Sequence, residues 1–239
     1  MLCACTTQRH FDAGYPPLEL ELSFADRGVD HAPMTFVAAG PALLGSTRAD
    51  VEDAALRCQR GAPLRCELSW FEAEQPQVQD TVAAFWIDRF EITNAQFSAC
   101  VEAGGCQARP LTTCQRWANG AWQPLFDLEG FERLFGHPQQ PVVCVSWADA
   151  VNYCAWAGKR LPGAREWEKA SRGPEAWLYP WGNASPDCSL AQMHEPGQSP
   201  GCGRQAPLSV GQYPNAQSPF GLFDAGGNVA EWVLSLIHI

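Results

Sequence analysis

The sequence predicts a loop-rich α+β fold built from short strands and few helices. Its 239 residues include 10 tryptophans, 21 glycines and 19 prolines. This composition is typical of short elements joined by turns and differs from that of a helical bundle. Runs of β-branched and aromatic residues also alternate with segments that carry helix caps. A chain of this length can bury a substantial core, in one large domain or two small ones.

The central part of the chain predicts a strand followed by a helix. Val142–Val145 is a short β-branched run of the kind found in buried strands. Ser146 and Asp149 stand three residues apart, as in a capping box, where each side chain satisfies a free backbone N–H. Apolar residues then recur at helical spacing over residues 147–157, and Gly158 is placed to end that helix.

An earlier segment shows the same pattern of strand and capped helix. Residues 85–94 are rich in aromatic and β-branched side chains, which favours a strand. Thr93 and Gln96 form a second capping box, and it predicts a helix over roughly residues 94–103.

The N-terminal third predicts fewer regular elements. Leu18–Leu22 alternates apolar and acidic residues, as an edge strand does. Met34–Ser46 is expected to be an extended strand that runs into a glycine turn. Residues 49–71 are interpreted as an inserted polar loop.

Several spaced motifs resemble the sulfatase-modifying-factor family, whose best-known members are the formylglycine-generating enzymes. The resemblance covers about residues 34–233. It implies the formylglycine-generating-enzyme variant of the C-type-lectin-like α+β fold. Residues 1–33 are then an N-terminal export or linker segment, and residues 34–233 are expected to be an incomplete, C-terminally truncated domain of the family. Residues 234–239 are an atypical tail that does not continue the family pattern and is interpreted as non-native. The motifs are Phe-x-Ile-Asp-x-x-Glu-Ile-Thr-Asn (85–94), Val-Ser-Trp-x-Asp-Ala (145–150), Tyr-Cys-x-Trp-Ala-Gly-Lys-Arg-Leu-Pro (153–162), Glu-Trp-Glu (166–168), Tyr-Pro-Trp-Gly-Asn (179–183) and Gly-Asn-Val-Ala-Glu-Trp (227–232), the last with Ala230 where the family usually has Trp.

The resemblance implies two different functions. Formylglycine-generating enzymes convert a cysteine of a client protein or peptide into formylglycine, using copper held by a cysteine pair C-terminal to the last motif. Thiolates are the ligands that Cu(I) prefers. No cysteine follows Trp232 here, so the catalytic pair is absent from this chain and we expect no turnover. The alternative is a non-catalytic, exported, lipoprotein-type domain that binds a partner or serves a structural role.

The 11 cysteines predict disulfides and an oxidising compartment, such as the periplasm or the cell envelope. An alternative is that some of them are free and buried in the core. Four local pairs are expected: Cys58–Cys66, Cys100–Cys106, Cys114–Cys144 and Cys188–Cys202.

Two further cysteines are given separate expectations. Residues 2–5, Leu-Cys-Ala-Cys, resemble the tail of a bacterial lipoprotein signal, in which Cys5 carries the lipid anchor. A chance N-terminal sequence is the alternative. In the family, the cysteine matching Cys154 pairs with one near the C-terminus, so the resemblance implies that Cys154 is free here.

The family also binds calcium through oxygen ligands, as this hard cation prefers. The resemblance assigns one calcium site to Asn228 and Glu231, together with backbone carbonyls. The alternative is a turn asparagine and a salt-bridged glutamate. A second family site matches residues 183–195, but Gln192 stands where an Asn is usual. The five histidines are scattered, which argues against the histidine-held iron of some relatives.

Charge excludes two classes of partner. The chain has 16 basic and 26 acidic residues, a net charge of −10, and no extended basic cluster. We therefore expect no binding to nucleic acid, and contact with a membrane only through a lipid anchor. Lys159 and Arg160 are either an anion clamp or, as we prefer, anchors for nearby carboxylates.

Overall fold

Short elements and long irregular connections make up the computed structural model. It describes residues 5–7, 25–26, 28–61, 66–109, 114–118, 121–124, 128–193, 202–204 and 206–234. The helices are α1 (Arg48–Gly61), α2 (Ser69–Glu72), α3 (Asn94–Glu102), α4 (Leu128–Phe135), α5 (Trp147–Trp156) and α6 (Ala164–Arg172). The strands are β1 (Thr6–Thr7), β2 (Ala25–Asp26), β3 (Pro33–Val37), β4 (Gly40–Leu44), β5 (Val78–Val82), β6 (Phe85–Asp88), β7 (Gln115–Ala118) and β8 (Ala121–Pro124). The predicted α+β class is confirmed.

The largest sheet among the described residues is antiparallel and has the strand order β1-β6-β3-β2. Strand β6 is buried along its whole length, because it is paired on both sides and covered on both faces. The pairs β4–β5 and β7–β8 form separate two-stranded sheets. Asp88, the last residue of β6, therefore enters a fully buried environment.

Two apolar clusters form the core. One lies between α3 and α5 and contains Phe97, Tyr153 and Leu161 together with Cys5. The other packs the inner residues of β3 to β6 against α6 and Leu222. Among the described residues, no helix has the length and apolar character needed to cross a membrane.

The two predicted capped helices are confirmed. The Thr93 side chain accepts a hydrogen bond from the Gln96 N–H, and the Gln96 side-chain oxygen accepts one from the Thr93 N–H. Ser146 and Asp149 make the same reciprocal pair at the start of α5. Local side-chain spacing was sufficient here because a capping box needs contacts only three residues apart.

The predicted strand at Val142–Val145 is wrong. Pro141 makes a single bridge to Thr93, and the segment that follows is buried but irregular. Cys144 has a φ of 65°, in the left-handed region, which interrupts an extended chain. The apolar run reflects burial in the core, which periodicity alone cannot distinguish from a strand.

The predicted loop at residues 49–71 is also wrong, because most of it is α1 and α2. Thr47 and Asp50 form a capping box at the start of α1, with the Thr47 N–H 2.9 Å from Asp50 Oδ2. This T-x-x-D signal was present in the sequence and was missed.

The N-terminal segment is partly built into the domain. Strand β1 pairs with β6 and strand β2 pairs with β3, so parts of residues 1–33 belong to the largest sheet and are not a separate linker. The edge strand predicted at Leu18–Leu22 lies outside the described residues.

Candidate functional site

Residues from the motifs at 85–94 and 227–232 meet Asp224 in a group that we call the acidic turn, which consists of Glu91, Asp224, Asn228 and Glu231. Glu91 is buried and the other three are half-buried. Asn228 has a φ of 59°, as a turn asparagine does. Its Oδ1 accepts the Leu208 N–H at 2.9 Å, and its Nδ2 donates to Glu91 Oε2 at 2.7 Å. The side chain therefore cross-links two loops of the chain.

Glu91 is the most buried carboxylate of this turn, with 2% of its surface exposed. It accepts hydrogen bonds from Asn228 Nδ2 and from the Val229 N–H, the latter at 3.2 Å. Burial raises the pKa of Glu91 well above its usual range, and the nearby charges of Asp224 and Glu231 raise it further. The two N–H donors oppose this shift only in part.

The other two carboxylates of the turn also make bonds within the chain. Asp224 Oδ2 accepts the Gly211 N–H at 2.6 Å, and burial raises the pKa of Asp224. Glu231 Oε2 accepts the indole N–H of Trp167 at 2.8 Å. Asp224 and Glu231 thus lie near enough to Glu91 to raise its pKa, and the hydrogen-bond donors described for the three carboxylates are neutral groups.

The acidic turn, with the hydrogen bonds described above, does not fit a calcium ion. Asn228 Oδ1 points at a backbone N–H, and Glu231 holds an indole N–H. Within the described part of the chain, no three His, Cys, Asp or Glu side chains converge as a metal-binding group. Asn228 matches the alternative interpretation, a turn asparagine. Gln192, in the second family loop, donates to the Ala206 carbonyl, and Asn183 caps the Leu178 N–H.

The four expected disulfide pairs are present in the structure. Their Cα–Cα distances of 5.3 to 5.8 Å lie within the usual range for a disulfide. They are Cys58–Cys66, Cys100–Cys106, Cys114–Cys144 and Cys188–Cys202.

The expectations for Cys5 and Cys154 are wrong in this structure. The two residues form a fifth disulfide, with a Cα–Cα distance of 5.6 Å and both residues fully buried. A sulfur in a disulfide has no thiol left to carry a lipid, so Cys5 is not a lipid anchor here. Cys154 is also not free, because Cys5 takes the place of the C-terminal partner that the resemblance implied.

Copper does not fit the described residues. All ten described cysteines are paired in disulfides, and a disulfide sulfur is not the thiolate that Cu(I) requires. Five disulfides are characteristic of an oxidising compartment, which agrees with the expectation of export.

A second buried charge site, which we call the lysine cluster, consists of Asp30, Asp88 and Lys159. Lys159 Nζ lies 2.8 Å from Asp30 Oδ1 and 2.8 Å from Asp88 Oδ1, and all three side chains are 0% exposed. Burial raises the pKa of Asp88 to about 7, although the Lys159 ammonium opposes the shift. Tyr153 donates its hydroxyl to Asp30 at 2.9 Å.

One residue in the sequence indicates this cluster. Asp88 is an acidic residue inside the apolar run of β6, where only a paired carboxylate is tolerated. The preference for Lys159 and Arg160 as carboxylate anchors is confirmed, since Arg160 pairs with Glu166 at 2.6 Å. Gly28 is required beside the cluster, because a Cβ there would collide with Lys159 and Asp30.

Comparison with known proteins places this fold and these motifs in one family. Residues 22–238 match the family model of the sulfatase-modifying factor enzyme 1-like domain. The chain belongs to this family. The resemblance inferred from the motifs is therefore confirmed.

Its relatives include both oxygenases and an inactive protein. The chain is 35% identical over 189 residues to a hercynine oxygenase from Mycolicibacterium thermoresistibile, covering 73% of this chain and 41% of that protein. It is 32% identical to a formylglycine-generating enzyme from Thermomonospora curvata, covering 67% and 63%. It is 33% identical to an inactive C-alpha-formylglycine-generating enzyme 2 from Mus musculus, covering 69% and 62%. The chain thus spans about two fifths to three fifths of these relatives.

A solved structure supports the fold. The structure of PvdO from Pseudomonas aeruginosa superimposes with a TM-score of 0.61 at 23% identity, covering 91% of this chain and 76% of that one. At this identity the likeness concerns the fold alone.

Proposed function

We propose that this chain is a non-catalytic, exported domain of the sulfatase-modifying-factor family that acts as a rigid binding or structural scaffold. One observation supports this above the others: every described cysteine is used in a cross-link. A thiolate-based oxidase needs at least one cysteine in its reduced form. The inactive relative from Mus musculus supports the same conclusion, since the fold there exists without the activity.

Alkylation of thiols in the denatured, non-reduced protein tests the proposal directly. We expect no label on the ten paired cysteines, because their sulfurs are already bonded to one another. Labelling of any of them in stoichiometric amount would contradict the proposal. The same protein after full reduction is the control and should take up label at all ten.

The second candidate is an oxidase that converts a substrate cysteine to formylglycine. Membership of the family and the similarity to the Thermomonospora curvata enzyme support it. In this chain the required thiolates would have to come from residues outside the described ones. Its client would be a protein or peptide that carries a cysteine motif.

A peptide assay separates the two candidates. The protein is incubated with copper and a peptide bearing Cys-x-Pro-x-Arg, and the peptide mass is followed. The scaffold proposal predicts no thiol-to-aldehyde conversion, whereas the Thermomonospora curvata enzyme serves as the positive control. Turnover above the copper-only reaction would overturn the proposal in favour of the oxidase.

We further propose the periplasm or the cell envelope as its location, because disulfides persist in such oxidising compartments. Cell fractionation followed by non-reducing gels tests this. We expect the protein outside the cytoplasm, and faster migration before reduction than after it. A reduced cytoplasmic pool as the main form would contradict the proposal.

Calcium binding at Asn228 and Glu231 stays a prediction. To accept the ion, Asn228 Oδ1 would have to share its lone pairs between the cation and the Leu208 N–H. Calcium should then raise the melting temperature of the wild-type protein relative to EDTA, because it binds only the folded state. The Glu231→Gln variant should lose that response. No response in the wild-type protein would contradict the prediction.

A further inference from the structure

The disulfide between Cys5 and Cys154 closes the longest loop of any described disulfide in the chain. The two residues are 149 positions apart, whereas the other four described pairs span 6 to 30 residues. Cys154 lies in α5, and Cys5 directly precedes β1. The bond therefore fixes the N-terminal strand to the main core.

Apart from this bond, β1 has few attachments of its own. It is two residues long and pairs with β6 only at Thr6 and Thr7. On its other side, Thr6 exchanges two backbone hydrogen bonds with Arg160, at 2.6 and 2.8 Å. A strand this short gains little from its hydrogen bonds beyond the conformational entropy lost on ordering it.

The same strand completes the lysine cluster. One oxygen of Asp88 binds Lys159, and the other accepts the Cys5 N–H at 2.9 Å. The Asp88 N–H in turn donates to the Cys5 carbonyl at 3.1 Å. If β1 were absent, Asp88 would lose one donor and one acceptor, as well as the cover that keeps water away from the cluster.

We propose that Cys5–Cys154 is an oxidation-dependent latch that docks β1 and thereby completes the buried lysine cluster. In closing it, the two thiols transfer two protons and two electrons to a disulfide oxidant. The S–S bond of the oxidant breaks and the oxidant leaves as two thiols, while the Cys5–Cys154 bond forms. Before this step the N-terminal strand is undocked, so the domain reaches its final form only in an oxidising compartment. The latch operates whether the domain is a scaffold or an oxidase.

Hydrogen exchange on a latch-free variant tests the docking. In Cys5→Ser/Cys154→Ser, the backbone amides of Thr6, Asp88 and Arg160 should exchange at least roughly 100-fold faster than in the wild-type protein. The melting temperature should fall by about 10 °C, because a long loop is no longer closed in the unfolded chain.

The Cys58→Ser/Cys66→Ser variant is the matched control, since it also removes one disulfide. Its loop spans only 8 residues, so its melting temperature should fall less. Exchange at Thr6, Asp88 and Arg160 should be unchanged in it. Equal protection of these amides in the latch-free variant and the wild-type protein would overturn the proposal.

A double-mutant cycle tests the link between latch and cluster. Asp88→Ala should raise the unfolding equilibrium constant roughly 100-fold in the latched chain, because the Cys5 N–H and Lys159 lose a buried acceptor. In the latch-free chain the same substitution should raise it less than about 5-fold, since Asp88 is then solvated. Equal effects in both backgrounds would show that latch and cluster are independent and would overturn the proposal.

Graded reduction of the wild-type protein by a dithiol provides a measurement that needs no variant. Alkylation and mass mapping report when Cys5 and Cys154 open, and hydrogen exchange reports when β1 is released. We expect the two events to coincide. Opening of the bond without faster exchange at Thr6 would overturn the proposal.

Discussion

The lysine cluster and the acidic turn are both buried sites for carboxylates, but they are compensated in different ways. The lysine cluster surrounds one ammonium with two aspartates, with distances of 2.8 Å on each side. The acidic turn relies on neutral N–H donors from Asn228, Gly211 and other groups. A formal charge compensates the first site, whereas the hydrogen-bond donors described for the second are neutral groups.

This difference appears in the pKa values of the two sites. Burial raises the pKa of Asp88 to about 7 against the pull of Lys159. In the acidic turn, burial and the neighbouring carboxylates both raise the pKa of Glu91, and only hydrogen bonds oppose them. In the lysine cluster an opposite charge therefore offsets part of the cost of burial, whereas the acidic turn favours a bound proton.

Removing the ammonium should give the largest effect. Lys159→Met keeps the side-chain volume but leaves two buried carboxylates without their counter-charge. We expect the free energy of unfolding to fall by about 3–5 kcal/mol, measured by denaturant titration.

Lys169→Met is the control for that prediction. Lys169 is also buried, but its Nζ donates to the backbone carbonyls of Ala38 and Gly40. Its replacement should lower the free energy of unfolding by about 1–2 kcal/mol, because it leaves only neutral carbonyl acceptors without a donor. Equal losses for the two lysines would show that charge compensation is not what distinguishes the lysine cluster.

In the acidic turn, Asn228→Ala should lower the free energy of unfolding by about 3 kcal/mol. It removes the side-chain bonds to Leu208 and Glu91 and places a Cβ at a φ of 59° without a polar side chain to support it. Asn228→Gly removes the same bonds, but glycine adopts this φ without strain. Its loss of unfolding free energy should therefore be about 1 kcal/mol smaller than that of Asn228→Ala. If the two variants were equally stable, the backbone conformation would contribute nothing.

The pH dependence of stability should separate Asp88 from the other carboxylates. Its pKa is about 7 in the folded chain, above the ordinary value of 3.8, so the folded state binds this proton more tightly. This contribution to the free energy of unfolding is present below pH 4 and is lost as the pH rises to 7, with a total of about 4 kcal/mol. The charged groups facing Asp88 are Lys159 and Asp30.

Asp88→Asn removes this titration. The difference in unfolding free energy between pH 5 and pH 8 should therefore be smaller in the variant than in the wild-type protein. Part of the dependence should remain, because the raised pKa values of Glu91 and Asp224 act in the same direction. An unchanged pH profile would show that Asp88 does not titrate in this range.

The smallest effect is expected for Glu231→Gln without calcium. The amide oxygen can still accept the Trp167 indole N–H, and one negative charge near Glu91 is removed. The free energy of unfolding should change by less than about 1 kcal/mol, with the pKa of Glu91 shifted toward its usual range. A loss as large as that of Asn228→Ala would mean that the carboxylate charge itself supports the turn.

The sequence predicted the local features of this fold well. The caps at Thr93 and Ser146 and the helices that follow them depend on contacts between residues three or four positions apart. Contacts at this spacing can be inferred from the order of the residues alone. The family also followed from motifs that are short and locally spaced. Expectations failed where burial and the path of the chain decide: the strand at Val142–Val145, the loop at residues 49–71, the lipid anchor at Cys5 and the free thiol at Cys154.

The acidic turn could be located only in part. Asn228 and Glu231 were named from their motif, but their partners are distant in sequence, Glu91 by 137 residues from Asn228 and Trp167 by 64 from Glu231. Hydrogen-bond partners at such separations leave no periodic signal, so the partners of both side chains could not be foreseen.

By itself, the sequence determined the two capped helices, the family and the four short disulfide loops, because each rests on residues near one another in the chain. Only the tertiary structure decided that Cys5 meets Cys154 and that Lys159 lies between Asp30 and Asp88. With 11 cysteines, many pairings agree with the composition, and only the path of the backbone selects one. The burial that raises the pKa of Asp88 is likewise a property of the packed core, because water is excluded only when β1, β6 and α5 come together.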